Sequence, residues 1–178
     1  MRLLRVNMIT KTYLKKFITY YEGEMPRIDN TTAFSRYVFS MLEKRVIRDA
    51  DYVPKWLGTE QNRDRLTMLV TERTFTHIGH TISPEKALYI NAHIKDSFDF
   101  RLTISACHQH YCHGLTIKKA LEAFCHVHGI EVDTDISMDN LLKIWHRTIT
   151  SIEPAYQRKN VTSLYIAPFD PGKQLGLF

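Results

Sequence analysis

Cysteine and histidine residues between positions 107 and 128 have spacings that can form a metal site. Two Cys-x-x-His pairs occur there, Cys107 with His110 and Cys125 with His128. On a helix, residues three apart lie on one face, and thiolate sulfur and imidazole nitrogen are ligands that zinc prefers. The two pairs therefore predict, as one alternative, a four-ligand structural zinc site. A second alternative is a metal-dependent hydrolase or nuclease that uses the His-rich segment with a catalytic metal and Asp96 or Asp99.

The geometry expected of this segment argues against the four-ligand site. If its two helices form an antiparallel hairpin about Gly114, the two pairs are offset by several ångströms to about 10 Å. Zinc requires all four donor atoms within about 2.0–2.3 Å of one point. We therefore expect Cys112 and Cys125 to be small core residues and expect no cofactor. Adjacent residues Cys107 and His108 point apart on a helix, so the sequence favours a non-enzymatic protein while leaving catalysis open.

Clusters of cationic residues offer a second kind of chemistry, contact with phosphate groups. Lys118 and Lys119 open a predicted helix, where the helix dipole disfavours positive charge unless an anion lies nearby. A solvated helix face explains each cluster when it is taken alone. Contacts of lysine and arginine with phosphates are independent of base sequence and sensitive to salt. The predicted nucleic-acid-binding residues are Lys15, Lys16, Lys118, Lys119, Lys143 and Arg147.

The last two predicted helices also resemble a helix-turn-helix unit, which makes a DNA-binding regulator a further alternative. The connection from Gly129 to Ser137 is long for that motif, whose turn usually has about three or four residues. A regulator of this kind predicts sequence-specific binding that depends on Lys143 and Arg147.

Composition limits the class of protein. The 178 residues fit one domain, and 44% hydrophobic with 24% charged residues is typical of a folded chain. The net charge of +5 favours polyanionic partners only mildly. No apolar run approaches the roughly 18 residues of a membrane span, and Arg5 and Asn7 interrupt the signal-like start. With three cysteines, too few for a disulfide framework, we expect a cytoplasmic protein with no membrane partner.

Helical spacing of apolar residues runs through most of the chain and predicts an all-α fold. Residues 1–153 are predicted to form a single bundle of about six helices. The apolar residues 66–70 predict one short helix, and no alternating run is convincing as a strand. The helix start signals are Thr10, the segment after Asn30, Ser83 before Pro84, Thr116, and Ser137.

Residues 154–178 differ from the body and are predicted to form an extended arm. Pro154 is expected to end the last helix, and Pro168, Pro171 and Gly172 follow in a segment with little helical periodicity. The first half of this arm has an alternative, a strap packed across the bundle. We expect the part from Pro168 onward to be mobile.

The arm carries the most specific motif in the sequence, Gln174-Leu175-Gly176-Leu177-Phe178. This peptide resembles the bacterial sliding-clamp-binding motif Gln-Leu-x-Leu-Phe, with which polymerases and repair factors attach to the replication clamp. The resemblance covers these five residues, and the body resembles no family. It implies that Gln174, Leu175, Leu177 and Phe178 bind a bacterial clamp. The alternative is that Leu177 and Phe178 fold back onto the bundle.

The motif and the cationic clusters together predict a clamp-tethered accessory protein of DNA replication, repair or a mobile element such as a phage. Its basic body would contact DNA or another component of the replication machinery. A short peptide supplies only local concentration, so the body must contribute a second interaction. The oligomeric state is left open.

Overall fold

The structure, a computed structural model, describes residues 2–44 and 63–157, with residues 151–157 as backbone only. In these ranges the chain forms both helices and a sheet, so the all-α prediction is wrong and the fold is mixed α/β. The strands are β1 (Leu3–Lys11), β2 (Arg27–Ile28) and β3 (Arg63–Thr71). The helices are α1 (Thr12–Glu22), α2 (Ala33–Met41), α3 (Glu72–His77), α4 (Pro84–His113), α5 (Ile117–Val127) and α6 (Met138–Gln157).

The sheet has the strand order β1-β3-β2. β3 pairs antiparallel with β1, where Val6 lies opposite Met68, and parallel with β2, where Ile28 lies opposite Val70. The helix predicted for residues 66–70 is wrong because these residues form the middle of β3. Their buried side chains alternate with more exposed ones, as a half-buried strand requires, whereas a short apolar run alone does not distinguish a strand from a helix.

One face of the sheet is buried against α1 and α4, and this contact forms the centre of the core. Phe17 of α1 and Phe98 of α4 meet edge to face with ring centroids 5.3 Å apart. The side-chain amide of Asn91 donates to the backbone carbonyl of Ile9 at 3.0 Å, which joins α4 directly to β1. α5 and α6 pack against α4, so this long helix connects the sheet to the C-terminal helices.

Most of the predicted helix boundaries are confirmed. Ser83 and Thr116 cap α4 and α5 with their side-chain oxygens, and Gly23 follows the last residue of α1. Thr10 is not a cap, because it lies within β1 and α1 begins after Lys11. None of the helices in the described ranges is both long and apolar enough to cross a membrane.

The last helix does not end at Pro154. α6 continues to Gln157, so the predicted helix end is wrong by one turn. A proline inside a helix removes one backbone hydrogen bond, and the helix continues when that loss is tolerated. Of the arm predicted for residues 154–178, the part from residue 158 onward lies outside the described residues.

Candidate functional site

The predicted clamp-binding residues Gln174, Leu175, Leu177 and Phe178 lie outside the described residues. The described body reaches Gln157, at the end of α6. Covalent geometry limits the distance between Gln157 and Gln174 to roughly 60 Å. A clamp bound to the peptide would therefore lie within this distance of the end of α6.

Two of the predicted phosphate-binding residues are engaged within the body. The ammonium of Lys15 lies 2.9 Å from the carboxylate of Asp64 on β3. The ammonium of Lys16 lies 2.6 Å from Asp135 and 3.8 Å from Glu131, in the connection between α5 and α6. These ion pairs hold α1 against the sheet and against the C-terminal helices, and a phosphate would compete with them.

Arg147 is also paired within the body, in a cluster around Asp99 of α4. One carboxylate oxygen of Asp99 receives both the guanidinium of Arg147 and the ammonium of Lys95. Its other oxygen is buried and has no hydrogen-bond partner among the described residues. The side chain of Arg147 remains 63% exposed. The cluster thus connects α6 to α4 and leaves one cation partly open to solvent.

The other predicted cations are solvent-exposed. Lys118 and Lys119 lie in the first turn of α5, and Lys143 lies on the outer side of α6. None of the three forms an ion pair with a side chain of residues 2–44 or 63–150. Lys118, Lys119 and Lys143 are therefore the predicted cations that remain accessible to a polyanion.

The connection between α5 and α6 differs from the turn of a helix-turn-helix motif. It contains an isolated β-bridge between Val132 and Ile136 and a residue with positive φ, Asp133. The chain between Val127 and Met138 is much longer than the usual turn of about three or four residues. This geometry does not favour the regulator hypothesis.

The Cys-x-x-His residues have other partners. Cys107 and Cys125 are buried, and burial raises the pKa of the Cys125 thiol to about 12. Cys112 is exposed, so its predicted core position is wrong. His110 donates from Nδ1 to the carbonyl oxygen of Leu115 at 2.7 Å. Within the described ranges no group of three or more His, Cys, Asp or Glu side chains is placed to hold a metal ion.

Both ring nitrogens of His128 are bonded. Nδ1 lies 2.8 Å from the carbonyl oxygen of Phe124, which can only accept, so Nδ1 carries the proton. In the neutral ring Nε2 is then an acceptor, and the hydroxyl of Tyr21 donates to it at 2.9 Å. Burial lowers the pKa of His128, which favours this neutral form.

Sequence reasoning missed the aromatic cluster that surrounds His128. The guanidinium of Arg101 lies 4.3 Å from the centroid of the Tyr21 ring, and the Tyr20 ring lies 4.5 Å from the imidazole. An open cavity of about 330 Å³ adjoins the cluster. The signal was the pair Tyr20-Tyr21 at the end of α1, but no sequence rule joins it to a histidine of α5. The cavity is lined by Lys16, Thr19, Tyr20, Glu24, Val127, His128 and Gly129.

A second surface missed from the sequence is the face of the sheet opposite the core, which we call the basic sheet face. Its exposed residues include Arg5 and Asn7 of β1 and Arg65 of β3. The alternation along the strands places five cations on this side and, within the described strands, no acidic residue. The five cations of the basic sheet face are Arg5, Lys11, Arg27, Arg63 and Arg65.

Comparison with known proteins does not add a family. No protein-family model, curated protein sequence or solved structure matches this chain.

Proposed function

We propose that this chain is a cytoplasmic accessory protein of DNA replication, repair or a mobile element, tethered to the bacterial sliding clamp by its residues 174–178. The observation that carries the proposal is the match of Gln174, Leu175, Leu177 and Phe178 to every specified position of the clamp-binding peptide. The body would act on DNA that the tether brings near.

The chemistry of the peptide supports weak, reversible attachment. Burial of Leu175, Leu177 and Phe178 in a pocket contributes roughly 1.5–3 kcal/mol for each side chain. Ordering the peptide costs several kcal/mol of that gain. With the hydrogen bonds of Gln174 added, the balance corresponds to dissociation constants from roughly tens of micromolar to submillimolar, since about −4 kcal/mol corresponds to 1 mM and about −8 kcal/mol to 1 μM. Gln174 would supply the hydrogen bonds that set the direction of the peptide.

A tether of this strength requires a second interaction on the body. Linking two weak contacts raises the local concentration of the second one without any new contact surface. The net charge of +5 and the cations that face solvent make DNA the partner best suited to the body. No arrangement of the described side chains favours the hydrolase alternative over a DNA-binding accessory protein.

Calorimetry of the purified chain with a bacterial clamp tests the proposal. We expect the unaltered chain to bind with a dissociation constant from roughly tens of micromolar to submillimolar. The double variant Leu177→Ala/Phe178→Ala should bind at least tenfold more weakly. Gly176→Ser is the matched control, because the motif often has serine at that position. The control should bind as well as the unaltered chain or more tightly, since glycine costs extra ordering entropy.

The proposal is rejected if the unaltered chain does not bind, or if binding survives deletion of residues 174–178. A Gly176→Ser chain that loses as much affinity as the Leu177/Phe178 variant would also reject it. The measurement contains no DNA, so it is independent of any nucleic-acid contact of the body.

A further inference from the structure

The basic sheet face collects cations that are far apart in the sequence. Arg5 and Arg27 both lie beside Leu69 of β3, one on each flanking strand. Adjacent strands are about 4.8 Å apart, so these two backbones are separated by roughly 10 Å. At the other end of the sheet, Lys11 of β1 lies directly opposite Arg63 of β3. The two groups are roughly 20 Å apart along the strand, at about 3.3 Å per residue.

Acidic residues near the sheet are directed elsewhere. Asp64 lies between two cations of β3 in sequence, but its carboxylate bonds to Lys15 of α1. Asp29 pairs with Arg27 at 3.2 Å. The face as a whole therefore keeps a strong positive excess, with Arg5 and Arg65 exposed.

The uncharged residues of the face also suit phosphate contact. Thr67 donates from its hydroxyl to the side-chain oxygen of Asn7 at 2.8 Å. This bond leaves the amide N–H groups of Asn7 as donors of the type that bonds phosphate oxygens. A patch roughly 20 Å long covers about six base pairs of duplex DNA, which carries one charge per about 1.7 Å of axis.

The face contains no aromatic residue along its described strands, where the outward positions are occupied by cations, Leu, Ile, Thr and Asn. Platforms for single-stranded nucleic acid stack bases on aromatic rings. A surface with charge but no rings fits the backbone of a duplex, which is bound through its phosphates.

We propose that the basic sheet face is the surface that binds double-stranded DNA, through its phosphates and without base specificity. This inference rests on the proposed function for the class of partner, and it assigns the contact to the sheet rather than to Lys118 and Lys119. The tether at residues 174–178 would hold this face close to DNA.

Fluorescence anisotropy with a labelled duplex of roughly 20 base pairs, from about 50 to 200 mM salt and without clamp, tests the inference. The full chain is compared with Arg5→Gln/Arg65→Gln and with Lys118→Gln/Lys119→Gln, which remove the same charge. The sheet variant should bind at least tenfold more weakly. The slope of its log affinity against log salt concentration should be shallower, by the amount that corresponds to about two phosphate contacts. The α5 variant should stay within about threefold of the unaltered chain.

Further variants distinguish a loss of positive charge from a loss of folding. Arg5→Lys/Arg65→Lys keeps both charges and should retain binding, since lysine also neutralises phosphate. Thermal melting shows whether each variant folds, and Lys11→Gln/Arg27→Gln tests the same face at other positions if the first pair fails to fold. The inference is overturned if both sheet variants bind normally, or if the α5 variant loses as much affinity. Preference for the single strand, or no DNA binding at all, also overturns it, while clamp binding measured separately decides the proposed function.

Discussion

The hydroxyl of Tyr21 donates to Nε2 of His128 across 2.9 Å and joins the end of α1 to the end of α5. Arg101 of α4 covers the Tyr21 ring, so three helices meet at this bond. Burial lowers the pKa of His128 and raises that of Tyr21, which keeps both groups neutral near pH 7.

This bond predicts that stability falls in mild acid. At pH 8 His128 is neutral in both states and contributes no pH dependence. As the pH falls below about 6.5, the unfolded chain takes up a proton that the folded ring resists, so the free energy of unfolding decreases, by at most about 1.4 kcal/mol per pH unit. Urea denaturation at about pH 7.5 and about pH 5 measures this loss, which should be smaller in His128→Gln.

The neighbouring residue His126 provides the control for that experiment. It is exposed on α5, and His126→Gln should retain the full pH dependence of the unaltered chain. An identical loss of stability in His128→Gln and in the unaltered chain would show that the buried imidazole does not carry the effect.

Asp99→Asn should destabilise the chain by about 1–3 kcal/mol, because it leaves Lys95 and Arg147 without their carboxylate. The expected cost lies below that of a fully buried pair, since both cations are partly solvated. The matched variant Asp96→Asn alters an exposed residue of the same helix and should change stability by less than about 0.5 kcal/mol. Equal effects in chemical denaturation would show that the Asp99 cluster does not stabilise the contact between α4 and α6.

Gly79→Ala should lower the free energy of unfolding by about 3 kcal/mol or more. A Cβ at this position would lie 2.1 Å from the backbone carbonyl carbon of Glu43, and φ is +146°. The carbonyl of Glu43 also accepts from the backbone N–H groups of His80 and Thr81, so it cannot move away freely. Gly129→Ala, with φ of +64° in open space, should cost only about 1 kcal/mol. Thermal melting of the two variants tests this difference, and similar melting temperatures would contradict it.

Met68→Ala and Leu69→Ala distinguish a strand from a helix over residues 63–71. Met68 is fully buried on the core side of β3, and its truncation should cost about 2–4 kcal/mol. Leu69 lies on the basic sheet face, so Leu69→Ala should lower the free energy of unfolding by about 1 kcal/mol or less. In a helix the two neighbours would share the apolar face, so comparable losses in urea denaturation would contradict the strand.

The sequence by itself determined most of the helices. Periodic apolar residues and start signals such as Ser83-Pro84 and Thr116 act within one element, so no information from the rest of the chain is needed. The same local chemistry specifies the clamp-like peptide at residues 174–178, whose partner would be another protein.

Only the tertiary structure decided that there is a sheet. β1 alternates for a few residues only, and β3 looks like a short apolar run until both strands pair across a large sequence separation. Each strand becomes stable through its partner and through the helices on its buried face, and neither contact is visible in a local window.

The candidate sites divide in the same way. Lys15, Lys16 and Arg147 look like phosphate-binding residues in the sequence, but the fold supplies each with a carboxylate from a distant element. Conversely, Arg5 belongs to a basic stretch of the sequence and Arg65 to no predicted site, and the register of β1 and β3 places the two on one surface. The charge of a side chain is a property of the residue itself, whereas its ion-pair partner depends on which elements the fold brings together. The sequence therefore showed the cations, and only the fold showed which of them face solvent.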